Sequence, residues 1–239
     1  MNPRNPMLIL LALAFVCLLS HSTATAQSTL VTIPSTDVVS AKKVYLEFDY
    51  ISHYASHHHG GFQTYEPRMA VGVGHNVEVG VNVVYTDGFG VKQSIELQPN
   101  IKWGFYKNEK QGVSAVAGAM LYAPVTHRAG TNTFVMLYAL ISKKMAGKFG
   151  PRLTGGGYAL PGRDDGAGAK SGVMAGYEQP LARRTSFVVD WASGRNRFGY
   201  VTPGLSFATT QRSNLYTGYS IGNQGRKNNA LFAYYGIAF

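Results

Sequence analysis

The feature that most constrains this chain is a strict two-residue alternation of apolar and polar side chains. In "SIELQPNIKWGFY", residues 94–106, apolar residues hold every odd position from 95 to 105, and mostly polar residues hold the even ones. Successive side chains of a strand point to opposite faces, so this pattern predicts a strand with one apolar and one polar face. Pro99 lies within the stretch, where a proline normally marks a sheet edge or a bulge. Such a strand needs protein or lipid to cover its apolar face.

Similar segments recur along the chain, and their connections fall into two classes. About twelve such segments are present, most of them near the 9 to 11 residues that a tilted strand needs to cross a bilayer. Short turns such as "GHN" and "MAGK" alternate with mostly longer, Gly-rich loops such as "SHYASHHHGGFQ". Outer-membrane barrels show this alternation, with turns in the periplasm and loops outside. We therefore predict an all-β fold, a closed antiparallel up-and-down transmembrane β-barrel of about twelve strands.

A secreted or periplasmic β-sandwich is the competing interpretation, since alternating strands fit it as well. The exposed faces of a sandwich should be rich in Lys, Glu and Thr. Here the second face carries mostly Gly, Ala, Ser and Tyr with a few charges, as expected for a narrow barrel interior. Aromatic residues also lie near segment ends, with Trp103 and Phe105 by a turn and Tyr50, Tyr65 and Tyr85 by loops, as in interface girdles. Both features favour the membrane barrel.

The first residues have the layout of a secretory signal peptide. Arg4 precedes the apolar run "MLILLALAFVCLL", and the small residues Ala24 and Ala26 follow it. The run is shorter than the roughly 20 apolar residues of a membrane-spanning helix. Cleavage after Ala26 would give a signal peptide over 1–26, a segment over 27–42 that lies in the periplasm or enters the lumen, and a barrel over 43–239. It would also remove Cys17, the single cysteine, which excludes disulfide and thiol chemistry.

The C-terminal strand resembles a known family. Phe239 is the last residue, and Ile237 and Tyr235 precede it at alternate positions. This ending is similar to the C-terminal strand signal of Gram-negative outer-membrane β-barrel proteins. The resemblance implies a location in the bacterial outer membrane, contact with its lipids and lipopolysaccharide, and recognition by the barrel-assembly machinery. It also implies that the last strand, 229–239, pairs with the first, 43–52, and leaves no free sheet edge.

The alternation assigns a set of charged residues to the barrel lumen. They are Glu47, Asp49, Glu66, Arg68, Glu78, Glu96 and Lys102 on early strands, and Arg152, Lys170, Glu178 and Asp190 on later ones. Charges in a confined interior must be paired or hydrated. They form either a salt-bridge network that plugs the barrel or a water-filled path that selects solutes by charge. The same alternation predicts that Ile101→Lys destabilises the protein and that Lys102→Gln is tolerated.

Basic residues are scattered over the predicted loops. They are Arg128, Arg163, Arg195, Arg197, Arg226 and Lys227, in a chain with a formal net charge of +10. Nucleic-acid binding needs clustered Lys and Arg with aromatic platforms, and the charges here are not clustered in that way. The loop residues suit contact with an anionic outer leaflet, and capture of acidic solutes is the alternative.

Two clusters could carry metal chemistry. The first is the run of adjacent histidines His57, His58 and His59. Adjacent imidazoles on a Gly-flanked loop seldom converge on one metal without carboxylate or Cys partners, so a solvated loop is favoured. The second, Asp164 and Asp165 in "GRDDGAG", lacks the alternating oxygen ligands of a calcium loop. No metal and no cofactor is predicted.

The sequence predicts a narrow passive channel for small hydrophilic solutes in the outer membrane. A non-conducting barrel with a structural or surface-interaction role is the second hypothesis. An outer-membrane lipid hydrolase is the third, with His53 beside Ser52 as the candidate base. No catalytic residue is assigned.

Overall fold

The computed structural model describes residues 28–88, 91–126, 132–162, 168–225 and 229–239. The predicted signal peptide lies outside these ranges. So do Arg128, Arg163, Asp164, Asp165, Arg226 and Lys227.

Twelve antiparallel strands form one closed barrel. They are β1 (Val44–His53), β2 (Phe62–Gly74), β3 (Val77–Gly88), β4 (Val91–Asn108), β5 (Val113–Pro124), β6 (Phe134–Lys144), β7 (Arg152–Ala159), β8 (Ser171–Pro180), β9 (Thr185–Ala192), β10 (Tyr200–Ala208), β11 (Ser213–Gly222) and β12 (Ala230–Ala238). Each strand pairs with its neighbours in sequence, and β1 pairs with β12. The predicted up-and-down barrel is confirmed. Within the described ranges, no helix has the length and apolar character needed to cross a membrane.

The closing pair of strands joins the first strand to the last. Leu46 lies opposite Ile237 in the register of β1 and β12. The backbone N–H of Phe239 donates to the carbonyl of Val44 at 2.8 Å. The C-terminal residue is therefore tied to the first strand, and this pairing removes the edges that an open sheet would expose.

The outer surface of the barrel is apolar, as β4 shows most clearly. Leu97, Ile101 and Trp103 are 39%, 47% and 53% exposed, whereas Gln98 and Lys102 on the opposite face are buried. A continuous surface of large exposed apolar side chains is suited to lipid and costs free energy in water. The alternation in the sequence thus separates an outer, lipid-facing surface from the lumen.

Pro99 departs from the expectation of an edge or a bulge. It lies opposite Val81 in the interior of β4, and the pairing of β3 with β4 stays in register there. The register shifts of β4 occur elsewhere, between Thr86 and Gly88 of its β3 pairing and between Gly104 and Tyr106 of its β5 pairing. A proline removes one ladder donor, and the surrounding closed sheet tolerates that loss.

The barrel has two distinct ends. The start of β1, the end of β12 and the short turns, such as residues 75–76 between β2 and β3, lie at one end, which we call the periplasmic end. The longer connections, such as residues 54–61 between β1 and β2, lie at the other, which we call the extracellular end. The lumen therefore has a periplasmic half and an extracellular half.

Candidate functional site: the barrel lumen

Residues 28–39, which we call the N-terminal segment, lie inside the barrel. Leu30 and Ile33 are each 1% exposed and belong to one apolar cluster with wall residues such as Val116, Leu140 and Val188. The segment therefore packs against the strands as a protein core does. It fills the periplasmic half of the lumen.

A single carboxylate on β9 holds the turn of the N-terminal segment. Asp190 Oδ2 accepts hydrogen bonds from the backbone N–H groups of Val31, Thr32 and Ile33 at 2.9, 2.7 and 3.0 Å. Its Oδ1 accepts from the Thr32 hydroxyl at 2.7 Å. Asp190 is 1% exposed. Oriented backbone donors thus stabilise this buried charge, as they do in other anion-binding turns.

A buried ion pair anchors both ends of the N-terminal segment. Lys102 Nζ lies 3.0 Å from Glu78 Oε1, and both side chains are 1% exposed. The Glu78 carboxylate also accepts from the Ser28 hydroxyl and the Val39 N–H, each at 2.7 Å. Lys102 donates to the Ser28 carbonyl at 3.1 Å. Loss of the lysine charge would leave a buried carboxylate unpaired, so the expected tolerance of Lys102→Gln does not fit the structure.

A second set of polar contacts ties residues 36 and 37 of the segment to β6, β7 and β8. Arg152 Nη1 donates to Asp37 Oδ2 at 2.7 Å, while its Nε and Nη2 contact the Glu178 carboxylate. The hydroxyls of Thr36 and Ser142 are 2.5 Å apart. Arg152 and Glu178 were predicted to lie in the lumen, whereas Asp37 was not among the predicted lumen residues. Its position in a segment before the first strand gave no sign of its distant partner.

Glycines in the wall leave room for the N-terminal segment. A Cβ atom on Gly176 would lie 2.8 Å from Leu30 Cδ1, and one on Gly104 would lie 3.1 Å from Val38 Cγ2. Both glycines face inward, where the sequence analysis noted small residues without assigning them a partner. Larger side chains here would collide with the segment, so the wall and the segment are complementary in shape.

The extracellular half of the lumen contains a cavity of about 290 Å³, which we call the vestibule. Residues Thr29 and Val31 to Pro34 form its floor, and its wall includes charged, aromatic and methionine side chains. These wall residues include Asp49, Phe62, Glu66, Arg68, Met120, Tyr122, Met136, Tyr138, Met174, Arg197 and Phe198. The vestibule thus lies directly above the filled half of the barrel.

Three carboxylates surround one guanidinium at the side of the vestibule. Arg68 Nη1 lies 2.9 Å from Glu47 Oε1 and 3.1 Å from Asp49 Oδ2, and its Nε lies 3.7 Å from Glu66 Oε1. Tyr45 donates its hydroxyl to Glu47 at 2.5 Å. Among the described residues, the buried Asp49 Oδ1 has no hydrogen-bond partner. We call Glu47, Asp49, Glu66 and Arg68 the acidic cluster.

Arg197 enters the vestibule from the connection between β9 and β10. Its Nη1 and Nη2 donate to the Glu96 carboxylate at 2.9 and 2.8 Å. Its guanidinium carbon also lies 5.1 Å from the Tyr122 ring centroid and 5.4 Å from that of Phe198. Enclosure by the barrel lowers the pKa of Arg197, but the hydrogen bonds and charge of Glu96 outweigh it and leave that pKa above its usual value. Arg197 is a loop residue as predicted, with its side chain 41% exposed, and its guanidinium contacts a carboxylate and aromatic faces of the lumen wall.

The remaining candidates lie at the extracellular end. Lys170 precedes β8 and is exposed, so it does not join the other charged residues in the lumen. Arg195 is exposed as predicted for a loop residue. His57–His59 form one turn of 3-10 helix, and His59 Nδ1 lies 2.6 Å from the Ser56 hydroxyl. Across the described part of the chain, no group of three or more His, Cys, Asp or Glu residues is placed to hold a metal ion.

The candidate hydrolase residues serve local structure. His53 Nδ1 lies 2.5 Å from the Asn229 carbonyl oxygen, and its ring stacks on Phe62 at 6.1 Å between centroids. The Ser52 hydroxyl donates to the Phe62 carbonyl at 3.4 Å. These contacts link β1 to its neighbours β2 and β12 at the extracellular end.

Comparison with solved structures gives the same fold as the strand pairing, a closed outer-membrane barrel. No protein-family model matches the sequence, and no curated protein matches it. Among solved structures, the KdgM porin has a TM-score of 0.54 at 8% identity, covering 82% of this chain and 98% of the porin. The COG4313 outer membrane channel from Pseudomonas putida F1 has a TM-score of 0.53 at 13% identity, covering 84% of this chain and 97% of that one. The chain has the fold of outer-membrane channels. A second structure of the KdgM porin, in complex with disordered oligogalacturonate, has a TM-score of 0.52 at 8% identity and covers 82% and 98% of the two chains. The outer-membrane barrel predicted from the sequence is therefore confirmed at the level of fold.

Proposed function

We propose that this protein is a passive outer-membrane channel for small hydrophilic solutes, which enter through the vestibule. The observation that carries the proposal is a cavity of about 290 Å³ with charged walls inside a barrel whose exterior is apolar. Fixed charges in a lumen cost free energy unless opposite charges, water or a solute stabilise them. A channel uses such charges to select what passes.

The N-terminal segment controls passage in this proposal. It fills the periplasmic half and is held by Asp190, by the pair of Glu78 and Lys102, and by Arg152. Each of these bonds is polar, and polar bonds can be exchanged for bonds to water when the segment moves. A solute in the vestibule therefore crosses the barrel when the segment shifts from the wall.

Single-channel recording of a variant with an engineered, reducible disulfide tests this function. The Thr36 and Ser142 hydroxyls lie 2.5 Å apart, so a Thr36→Cys, Ser142→Cys double variant can form a disulfide that fixes the segment to β6. The predicted mature chain, Gln27 to Phe239, contains no other cysteine. In a planar bilayer we expect discrete conductance steps from the unmodified chain and from the reduced variant, and their loss on oxidation. Equal conductance of the oxidised and reduced variant would contradict control by the segment.

Charge selectivity gives a second readout from the same bilayers. Glu66→Gln and Glu96→Gln each remove a negative charge from the vestibule, so we expect the current to become less cation-selective. The exposed Glu109→Gln in the turn between β4 and β5 serves as the control. Unchanged selectivity in both vestibule variants would show that ions do not pass these residues.

A non-conducting barrel is the second candidate, and the filled periplasmic half favours it. The apolar cluster of Leu30 and Ile33 with the wall resembles a protein core, which would make the barrel a rigid surface protein. A correctly folded chain that stays silent at every applied voltage would support this candidate. A lipid hydrolase has less support, because Ser52 is 1% exposed and its hydroxyl donates to the Phe62 carbonyl, not to His53.

We propose two further sets of partners from the surface of the barrel. The apolar exterior contacts outer-membrane lipids, and Arg195 contacts lipopolysaccharide phosphates at the extracellular end. The last strand presents Tyr235 and Phe239 outward, at 41% and 55% exposure, to the barrel-assembly machinery. Removal of Phe239 should reduce insertion in cells but leave refolding into detergent unchanged. If insertion in cells and refolding into detergent fall equally, Phe239 has a role in folding alone.

A further inference from the structure

The vestibule and its acidic cluster contain more carboxylates than cationic groups. Glu47, Asp49 and Glu66 face Arg68, and the remaining carboxylate, Glu96, is matched by Arg197. Four carboxylates therefore stand against two guanidinium groups among the described residues. A low-dielectric enclosure strengthens the field of an unmatched charge, so this part of the lumen attracts cations.

Asp49 provides an independent sign of a missing partner. The residue is 2% exposed, and it lines the vestibule. Its Oδ2 receives a hydrogen bond from Arg68, whereas the buried Oδ1 receives none from the described residues. Buried polar atoms are nearly always hydrogen-bonded in folded proteins, so an oxygen without a donor marks a place where a donor belongs.

The rest of the vestibule wall suits an organic cation better than a metal ion. Its aromatic rings already bind one cation, since the Arg197 guanidinium lies over Tyr122, Phe134 and Phe198. Methionines such as Met120 and Met174 add polarizable apolar surface. Aromatic and thioether groups attract ammonium and guanidinium ions that carry carbon groups, but they are poor ligands for a hydrated metal ion.

We propose that the vestibule binds small organic cations of the ammonium or guanidinium class. Asp49 and Glu66 act as counter-ions, and the aromatic wall contacts the apolar part of the solute. The cavity of about 290 Å³ is near the lower end of the roughly 300–1,000 Å³ of small-molecule pockets, which limits the site to compact ligands. The proposal deepens the channel function above, because it names the class of solute that the vestibule selects.

Choline and an uncharged analogue of the same shape form a matched pair of probes. Isothermal titration calorimetry of the refolded chain, Gln27 to Phe239, should show saturable binding of choline. We expect 3,3-dimethylbutan-1-ol, in which carbon replaces the charged nitrogen, to bind at least about tenfold more weakly because its contacts lack the charge. Asp49→Asn and Glu66→Gln should each weaken choline binding by about tenfold or more, the effect of losing one counter-ion in a confined site.

Glu109→Gln is the control variant for charge. It removes the same charge from an exposed turn at the periplasmic end, where Glu109 pairs with Lys107, so choline affinity should not change. Equal affinity for the two probes would overturn the proposal, as would choline binding that survives both Asp49→Asn and Glu66→Gln. Choline binding to a barrel that never conducts would uphold the site and reject the channel. Conductance without choline binding would uphold the channel and reject the site.

Discussion

The two halves of the lumen contain the same kinds of charged side chain but match them differently. In the part filled by the N-terminal segment, Lys102 pairs with Glu78, and backbone N–H groups of the segment surround Asp190. In the part beside the vestibule, Arg68 is shared by three carboxylates, and among the described residues Asp49 has an oxygen without a donor. The first half is filled by protein, and the second holds the vestibule.

This difference indicates that charge matching distinguishes the packed part of a lumen from its accessible part. A buried charge with complete partners can be sealed from water, because its lost hydration is replaced. A charge without them stays where water or a solute can approach. The strand pattern is the same in both halves, so the distinction arises from what each charge contacts.

Lys102→Gln should produce the largest loss of stability. It leaves the Glu78 carboxylate buried without its cation, which costs about 3–5 kcal/mol when one partner of a buried pair is removed. The loss should appear in the free energy of unfolding measured with urea in detergent or lipid. A loss below about 1 kcal/mol would show that water reaches Glu78 and that the periplasmic half is open.

Ile101→Lys changes the neighbouring residue, on the outer face of the same strand, and its loss of stability is compared with that of Lys102→Gln inside the lumen. The side chain of Ile101 is 47% exposed on the apolar surface, and a lysine there should cost about 2–4 kcal/mol near the bilayer midplane. The measurement is the same urea titration in lipid vesicles, with Ile101→Leu as the control. An unchanged free energy of unfolding for Ile101→Lys would place residue 101 away from the lipid.

Gly176→Val should displace the N-terminal segment from the wall. Its Cβ would lie 2.8 Å from Leu30 Cδ1, and overpacking of this kind costs about 1–3 kcal/mol. Faster proteolysis within residues 28–39 would report the displacement. Gly155→Val is the matched control on the neighbouring strand, since a Cβ there meets no atom within 4 Å. Identical proteolysis of the two variants would contradict the packing of Leu30 against Gly176.

Asp49→Asn should have the smallest effect, in contrast to Lys102→Gln. It removes one of three like charges around Arg68 and keeps an oxygen that can accept from that guanidinium, so stability should change by less than about 1 kcal/mol. Urea unfolding measures this as well. A loss as large as that of Lys102→Gln would mean that the acidic cluster is as closely matched as the periplasmic half.

The barrel was predictable from the sequence because the alternation is local. The early strands show a clear period of two and the later ones a weaker one, and the resemblance of the last strand, with Phe239 at its end, to outer-membrane barrels implied the closing pair. The position of the N-terminal segment was left open, because Asp37 and Arg152 are 115 residues apart and no local pattern links them. Arg197 was predicted as a loop residue, but its contact with Glu96 was not, since the two residues are 101 positions apart. The inward glycines Gly104 and Gly176 were visible, but their partner in the segment was not.

The most direct test of this account compares the complete chain with one that lacks residues 28–39. Both are refolded and recorded in planar bilayers, with circular dichroism to verify the barrel. If the N-terminal segment closes the periplasmic half, its removal should join the vestibule to the opposite end and raise the conductance severalfold. Equal conductance from two folded barrels would contradict the account and place the path outside the lumen that the segment fills.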